Sequence, residues 1–314
     1  MPRHRLIVIL GPTAVGKTAL SIGLARHLGT EILSGDSMLV YRGLDIGSAK
    51  PTVEERMGII HHLIDIREPW EGYNVVDFKT EAERVIAEID GKGKIPILAG
   101  GTGLYVKSLL EGYRFNERAA DEGYRQHLEE LARLHGREYV LGMLAKEDPD
   151  AGARLHVNDF RRIVRALEVA ASGEEHISRQ KAWEEEGTLS YDAYVIGLRR
   201  DRQKLYERIN RRVDVMVSEG LFEETERLLQ QGITRDMQAM KGIGYREAVM
   251  FLEGSASREE AVEKIKLSTR HFAKRQMTWY RKMPYIHWYD IDGLAEEKLL
   301  SMVSGDLEGY FGQM

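Results

Sequence analysis

One strand–turn–helix segment near the start of the chain limits the possible folds more than any other feature. Residues 5–10 read RLIVIL, a short apolar run that is typical of a buried parallel strand. Residues 11–18 read GPTAVGKT, which matches the pattern G-x-x-x-x-G-K-S/T, and residues 19–28 have the composition of a helix. A glycine-rich turn in this setting directs backbone N–H groups and the helix dipole at one point. We therefore predict a phosphate-binding loop, in which Lys17 supplies a cation and Thr18 a hydroxyl that can bind Mg²⁺.

The rest of the chain alternates between strand-like and helix-like segments. Apolar runs that predict strands occur at residues 31–34, 62–66, 95–99, 193–197 and 285–289, and an amphipathic helix is predicted at 75–89. Such alternation is typical of a parallel sheet with right-handed crossovers. Between 117 and 191 the sequence has helical periods and many charges but no convincing strand. We predict an α/β fold: a P-loop NTPase-like parallel sheet flanked by helices, formed by residues 1–116 and 192–314, with a mostly helical insertion domain at 117–191.

Composition excludes several classes of protein. The chain has no cysteine, which rules out disulfides, thiolate metal sites and thiol nucleophiles. No apolar run approaches the roughly 18 residues of a membrane-spanning helix, and the N-terminal sequence lacks the cleavage site of a secretory signal. We therefore expect a cytoplasmic protein without a membrane partner.

The distribution of charge permits a nucleic-acid partner in spite of the net charge of −5. A protein that coats nucleic acid nonspecifically is expected to be basic, but a local basic patch suffices for specific binding. Residues 264–282 carry several Lys and Arg and no acidic residue. The aromatic residues in this segment (Phe272, Trp279 and Tyr280) could stack on bases or could equally form the packed face of an amphipathic helix.

Two further turns are expected near the phosphate-binding loop, because ligands of parallel sheets bind beyond the carboxyl ends of the strands. Asp36 follows the strand at 31–34 and could act as a general base or a magnesium ligand, or equally as a turn or N-cap residue. Thr102 follows the strand at 95–99 and could offer a hydroxyl and a backbone N–H to the same pocket, or simply cap a helix. That strand ends without the carboxylate that P-loop NTPases use to hold Mg²⁺, which argues against nucleotide hydrolysis.

Seven motifs follow one another along the chain. They are GPTAVGKT at 11–18, GDSMLVYRGLDIGSAKP at 35–51, HHLID at 61–65, GGTGLY at 100–105, NDFRRIVRALEV at 158–169, KGIGYR at 241–246 and TRHFAKRQMTW at 269–279. In this order they resemble the bacterial tRNA dimethylallyltransferases, also called tRNA isopentenyltransferases. The second motif is far more specific than the phosphate-binding loop.

The resemblance implies an activity and its partners. The donor would be dimethylallyl diphosphate, the cofactor Mg²⁺, and the acceptor N6 of adenosine 37 in the anticodon stem-loop of tRNAs that read codons beginning with U. The products would be N6-isopentenyladenosine and diphosphate. The resemblance also implies a channel that the tRNA base enters from one side and the diphosphate from the other. We further expect a monomer.

The resemblance also implies roles for individual residues. Adenine N6 is a poor nucleophile because its lone pair is delocalised into the ring, so a base that removes its proton would accelerate transfer by about 10²–10⁴-fold. Asp36 is the candidate base, while Lys17, the loop amides and Thr102 would stabilise the departing diphosphate. Arg212 could add a cation, although a solvated helix face is the commoner place for an arginine.

The predicted site residues fall into four groups. The catalytic residues are Asp36, Thr102 and Lys17, and the metal ligands are Thr18 and Asp36. The diphosphate-binding residues are Gly11, Pro12, Thr13, Ala14, Val15, Gly16, Lys17, Thr18 and Arg212. The tRNA-binding residues are Asp36, Ser37, Met38, Leu39, Phe160, Arg161, Arg162, Ile163, Val164, Lys241, Gly242, Ile243, Gly244, Tyr245 and Arg246.

Two other functions fit part of the sequence. A small-molecule kinase would also need the phosphate-binding loop and an acidic base, and would reveal itself by transferring phosphate from ATP. A noncatalytic RNA-binding protein could use the loop only to sense a nucleotide, in which case Asp36→Asn would change nothing. The motif at residues 35–51 and the KGIGYR motif argue against the kinase.

Overall fold

The computed structural model describes residues 3–113, 122–171 and 188–312. The chain divides into two compact units, the first formed by Met1–Leu110 and Ser190–Met314 and the second by Glu111–Leu189. The predicted insertion domain, 117–191, includes residues 117–121 and 172–187, which lie outside the described residues, so its boundaries stay a prediction. No helix in the described part is long and apolar enough to cross a bilayer.

Within the described ranges, the first unit is built on a six-stranded sheet in which every neighbouring pair of strands is parallel. The strands are β1 (Arg5–Leu10), β2 (Ile32–Ser34), β3 (His61–His62), β4 (Ile97–Gly100), β5 (Asp192–Arg199) and β6 (Ile286–Asp290), in the spatial order β3-β2-β4-β1-β5-β6. The predicted α/β fold with a helix-flanked parallel sheet is therefore confirmed. Because β2, β4 and β1 are neighbours, the turns that follow them meet at one edge of the sheet.

The helices account for most of the remaining described residues. In chain order they are α1 (Lys17–Leu28), α2 (Val75–Gly91), α3 (Gly103–Leu110), α4 (Glu122–His135), α5 (Arg137–Glu147), α6 (Pro149–Arg154), α7 (Phe160–Ala171), α8 (Arg202–Ser218), α9 (Leu221–Gln230), α10 (Tyr245–Leu252), α11 (Arg258–Tyr280) and α12 (Glu296–Phe311), with a 3₁₀ turn at Gln238–Lys241 before α10. Side-chain caps fix the starts of α2 and α11, where Asn74 and Ser257 each form a capping box.

The core of the first unit forms around β1. Residues 6–10 are completely buried, as expected for a strand with sheet neighbours on both sides and helices over its faces. Apolar side chains of α1, α8 and α12 join β1, β4 and β5 in one cluster. The second unit has a separate core among α4–α7, which includes Leu128, Leu144 and Ile163.

The strand predicted at residues 62–66 is wrong. Only His61–His62 pairs with β2, because Leu63 and Asp65 both adopt positive φ angles, of 61° and 55°. Left-handed residues cannot continue a strand. Asp65 instead turns its carboxylate to Lys50 Nζ, at 2.5 Å. The segment therefore anchors a loop rather than extending the sheet.

Gly100 allows the turns that follow β2 and β4 to approach each other at this edge of the sheet. A Cβ on Gly100 would lie 2.4 Å from the carbonyl oxygen of Gly35, which is backbone and cannot rotate away. We expect Gly100→Ala to lower the free energy of unfolding by about 1–3 kcal/mol, as overpacking usually does. Urea denaturation measures this, with Gly91→Ala as control because a Cβ there meets nothing within 4 Å. Equal stability of the two variants would contradict the close approach.

Candidate active site

The loop at residues 11–18 is held by cations bonded to its backbone carbonyls. Gly11 and Gly16 have φ angles of 155° and 121°, and Ala14 has a φ of 62°, so the chain turns sharply between β1 and α1. The contacts run from Lys17 Nζ to the Gly11 and Pro12 carbonyls (2.9 and 3.0 Å), from Arg208 Nε to the Ala14 carbonyl (3.0 Å) and from Arg200 Nε to the Val15 carbonyl (3.1 Å). Positive charge therefore surrounds the loop even before an anion binds.

Lys17 is the half-buried cation within this loop. Burial lowers the pKa of its ammonium from 10.5 to about 8; the nearby Asp36 opposes this shift, and Arg212 adds to it. The ammonium is positioned to exchange its carbonyl partners for phosphate oxygens when an anion enters.

The pKa of Lys17 gives a test of anion binding that needs no activity. An anion beside the ammonium should raise its pKa, so diphosphate binding should take up a proton as the pH rises past about 8, where a growing fraction of free Lys17 is neutral. Affinity for inorganic diphosphate should therefore fall as the pH rises from 8 to 9. Calorimetry in buffers of different ionisation enthalpy measures the uptake. Lys17→Arg, charged throughout, controls for the titration of diphosphate itself, and equal uptake by both proteins would contradict the prediction.

Gln276 of α11 joins the phosphate-binding loop to the turn after β4. Its Oε1 accepts the Thr13 N–H (2.9 Å), and its Nε2 donates to the Gly101 carbonyl (2.8 Å). Tyr280 OH donates to the same carbonyl, also at 2.8 Å. The Thr13 amide is thus engaged by protein. Sequence reasoning missed Gln276, since a glutamine within a basic helix carries no signal of its own.

Asp36 lies in the walls of two adjoining cavities. The larger, of about 450 Å³, and the smaller, of about 110 Å³, share six lining residues: Thr13, Asp36, Ser48, Ala49, Arg212 and Phe272. Asp36 Oδ1 accepts the Met38 N–H at 2.8 Å, which fixes the orientation of the carboxylate. The carboxylate therefore stands where the contents of the two cavities can meet.

The smaller cavity has the character of an anion site. Lys17 and Thr18 line it together with Asp36 and Arg212. A third cavity, of about 390 Å³, shares Thr18 and Arg212 with it, and its wall also carries two further arginines, Arg208 and Arg211, and one acidic residue, Glu55. Cationic side chains and the N-terminus of a helix both bind the negative charge of a diphosphate.

The two residues predicted to bind Mg²⁺ could hold an ion that is also bound by the phosphate groups of a substrate. Thr18 and Asp36 both line the smaller cavity. Across the described residues there is no cluster of three or more His, Asp or Glu side chains that could hold a metal by itself. Mg²⁺ commonly takes one or two protein oxygens and completes its shell with water and substrate phosphates. The two oxygen ligands suit that arrangement.

Arg212 of α8 points into the site and not to a solvated helix face. It lines all three cavities, and its Nη2 donates to the Ala49 carbonyl at 3.3 Å. Burial lowers its pKa, an effect that Asp36 opposes, yet an arginine remains charged at neutral pH.

Thr102 occupies a more structural position than predicted. Its Oγ1 accepts the Ser37 N–H at 3.1 Å, and its own N–H donates to the Gly35 carbonyl at 3.2 Å. Its carbonyl accepts the Tyr105 N–H as α3 begins. The prediction that its backbone N–H faces the pocket is wrong, because that N–H already connects two turns.

The KGIGYR motif divides between the cavity and the core. The residues of this motif that line the larger cavity, together with Ser37 and Met38, are Lys241, Gly242, Ile243 and Arg246. Leu39 lines the smaller cavity. Tyr245 is completely buried and donates its hydroxyl to Glu224 at 2.6 Å, so its side chain lies in the core and its contact with tRNA stays a prediction. The Gly244 N–H is likewise engaged, by Glu247 at 3.0 Å.

The predicted tRNA contacts of the second unit also divide. Arg161 and Arg162 are exposed on α7, and Phe160 is half-buried at its start. Ile163 and Val164 lie in the core of this unit with their side chains buried, and their contact with tRNA stays a prediction. The apolar residues of α7 recur at helical spacing among charged residues, and this pattern indicates that they form the buried face of the helix.

The three aromatic residues of α11 divide between the cavities and the packed interior. Phe272 lines the two adjoining cavities. Tyr280 is fully buried, and the Trp279 ring packs so closely that a Cβ on Gly103 would lie 2.4 Å from it. Only Phe272 is therefore placed to stack on a ligand.

Known proteins resemble this chain over nearly its whole length. Residues 39–283 match the family model described as IPP transferase. A tRNA dimethylallyltransferase of Bacillus cereus is 46% identical over 307 residues, which are 98% of this chain and 96% of the relative. The full-length tRNA isopentenylpyrophosphate transferase of Bacillus halodurans is 42% identical, with a TM-score of 0.72 and 98% of each chain covered. A eukaryotic dimethylallyltransferase acting on tRNA is 29% identical, with a TM-score of 0.78 over 97% of this chain and 80% of that one.

These similarities bear out the resemblance that the motifs indicate, and the chain belongs to the IPP transferase family.

Proposed function

We propose that this chain transfers a dimethylallyl group from dimethylallyl diphosphate to an adenosine in tRNA. Relatives that are 46% identical carry the name of this activity. The observation that carries the proposal is the position of Asp36 between a cationic cavity, suited to the diphosphate, and a larger one. At about 450 Å³ the larger cavity has the size of a typical small-molecule site, about 300–1,000 Å³, and can accept an unstacked base.

The proposed acceptor atom is N6 of adenosine 37, in tRNAs that read codons beginning with U. The base leaves its stack at a cost of a few kcal/mol, which contacts with the cavity wall offset. Phe272 offers a stacking surface, and Arg246 and Arg275 add positive charge to the wall for the RNA backbone. Exposed Arg161 and Arg162 of the second unit extend the proposed RNA contacts. The protein acts as a monomer in the cytoplasm.

The proposed reaction replaces the C–O bond at the allylic carbon by a C–N bond. Asp36 Oδ2 accepts a proton from N6 while the new C–N bond forms, which keeps positive charge from building up on the nitrogen. The C–O bond to the diphosphate breaks, and its electron pair goes to the departing oxygen. Lys17 and Arg212 stabilise the charge that develops there. Thr18 and Asp36 would hold Mg²⁺, which would neutralise part of the charge on the departing diphosphate.

A transfer assay tests the proposal against its alternatives. The protein is incubated with Mg²⁺, labelled dimethylallyl diphosphate and an unmodified anticodon stem-loop that carries adenosine 37. We expect label in the RNA. Phosphate moving from ATP to a small acceptor, without label in RNA, would favour the kinase. Stem-loop binding without either reaction would favour a noncatalytic RNA-binding protein.

A further inference from the structure

One buried carboxylate holds three consecutive backbone amides of the site. Glu224 on α9 is 2% exposed. It accepts hydrogen bonds from the N–H groups of Asp45, Ile46 and Gly47, at 3.1, 2.9 and 3.2 Å, and from Tyr245 OH at 2.6 Å. A buried anion that receives four donors is both stabilised and strongly directional. Glu224 therefore fixes the backbone of residues 45–47.

A buried cation holds the other end of the same loop. Lys50 Nζ donates to the Tyr41 carbonyl (2.7 Å) and contacts the carboxylates of Asp45 (2.6 Å) and Asp65 (2.5 Å). Packing is tight as well, because a Cβ on Gly47 would lie 2.5 Å from the Tyr245 ring. We call residues 45–50 the anchored loop.

The anchored loop connects Glu224 to the reaction site. Its residues Ser48 and Ala49 line both adjoining cavities. Ala49 has a φ of 53°, and its carbonyl accepts Arg212 Nη2 at 3.3 Å. Arg212 in turn lines the cavities beside Asp36. A shift of the loop would therefore move the partner that orients the Arg212 guanidinium.

We propose that Glu224, with Tyr245, is a positioning residue that sets Arg212 for diphosphate through the anchored loop. The role of Arg212 toward diphosphate rests on the function proposed above, whereas binding of inorganic diphosphate can be measured without any transfer. Tyr245 is a buried residue within the KGIGYR motif, and its hydroxyl completes the set of donors around Glu224.

Substitution by glutamine separates charge from shape. A glutamine offers one acceptor oxygen and turns an NH₂ group toward backbone donors, so it cannot serve the loop amides and Tyr245 together. We expect Glu224→Gln to weaken binding of inorganic diphosphate about tenfold, equivalent to the loss of one charge-assisted hydrogen bond. Tyr245→Phe keeps the ring and the carboxylate and should weaken binding about two- to threefold, with the loss of one neutral hydrogen bond. Glu226→Gln, on the exposed face of α9, is the matched control and should change nothing.

A double-mutant cycle with Arg212→Ala shows whether Glu224 acts through the arginine. Calorimetry with inorganic diphosphate and Mg²⁺ gives the affinity of each variant. In the Arg212→Ala background, Glu224→Gln should cause almost no further loss, because the group it positions is gone. Wild-type affinity of Glu224→Gln, or the same fold-loss in both backgrounds, would overturn the inference. Should Glu224→Gln fail to fold, Tyr245→Phe runs through the same cycle with the same criteria. Neither outcome depends on whether tRNA is the acceptor.

Discussion

Asp36→Asn is expected to lower kcat for prenyl transfer by about 10²–10⁴-fold, the usual contribution of a positioned general base. Asparagine is almost the same size and keeps an oxygen for the Met38 N–H, so the turn after β2 should persist. The amide cannot take a proton from N6. The affinity for the stem-loop, measured separately by filter binding, should change little. Single-turnover transfer at saturating substrates gives the rate.

A matched variant separates loss of the base from a general effect of removing a carboxylate. Asp236→Asn changes an exposed aspartate in the same unit and should transfer at the wild-type rate. If Asp36→Asn retained a rate within about threefold of wild type, Asp36 would be a turn residue, and the base would have to be sought elsewhere in the cavities.

Lys17→Met is expected to lower kcat/KM for dimethylallyl diphosphate by about 10²–10³-fold, the scale of one lost charge-stabilising group. Methionine fills a similar volume but leaves the departing diphosphate without the cation that lies closest to the loop carbonyls. The loss should appear in diphosphate affinity as well as in rate, because the ammonium contacts the ligand before and during bond breaking.

A comparison of the two variants distinguishes the residue that acts on the diphosphate from the residue that acts on the acceptor nitrogen. Lys17→Met should weaken inorganic diphosphate binding and leave stem-loop affinity unchanged, whereas Asp36→Asn should lower the rate of transfer far more than it weakens diphosphate binding. Lys298→Met, on the exposed face of α12, controls for the loss of a lysine. A Lys17→Met protein with wild-type kcat/KM would show that the phosphate-binding loop does not hold the donor.

Local sequence predicted the parts of the fold that depend on local patterns. The apolar run before the glycine-rich turn became β1, and the turns carrying Asp36 and Thr102 follow neighbouring strands, as the rule for parallel sheets requires. The strand predicted at 62–66 failed because the positive φ angles of Leu63 and Asp65 leave no trace in hydrophobic periodicity. Backbone conformations of that kind depend on tertiary partners.

Site residues could be predicted from the sequence only where the residue type and its motif together indicate a chemical role. Lys17 and Asp36 are of this kind. Gln276 and Glu224 carry no such signal, because their backbone partners are distant in the sequence: 263 and 175 residues away for Gln276, and 177 to 179 residues away for Glu224. The resemblance gave Tyr245 a contact with RNA, but burial gives it a contact with Glu224. A motif thus fixes which residues occur together without saying which of them touch a ligand.

The most direct test of the central claim changes one group on the acceptor. Two anticodon stem-loops are prepared that differ only at position 37, one with adenine and one with purine, which lacks the exocyclic amine. Each is incubated with the protein, Mg²⁺ and labelled dimethylallyl diphosphate, and the RNA is digested to nucleosides. We predict label in N6-isopentenyladenosine from the first RNA and none in the second. Equal labelling of both RNAs would contradict transfer to N6 and the role of Asp36 as its base.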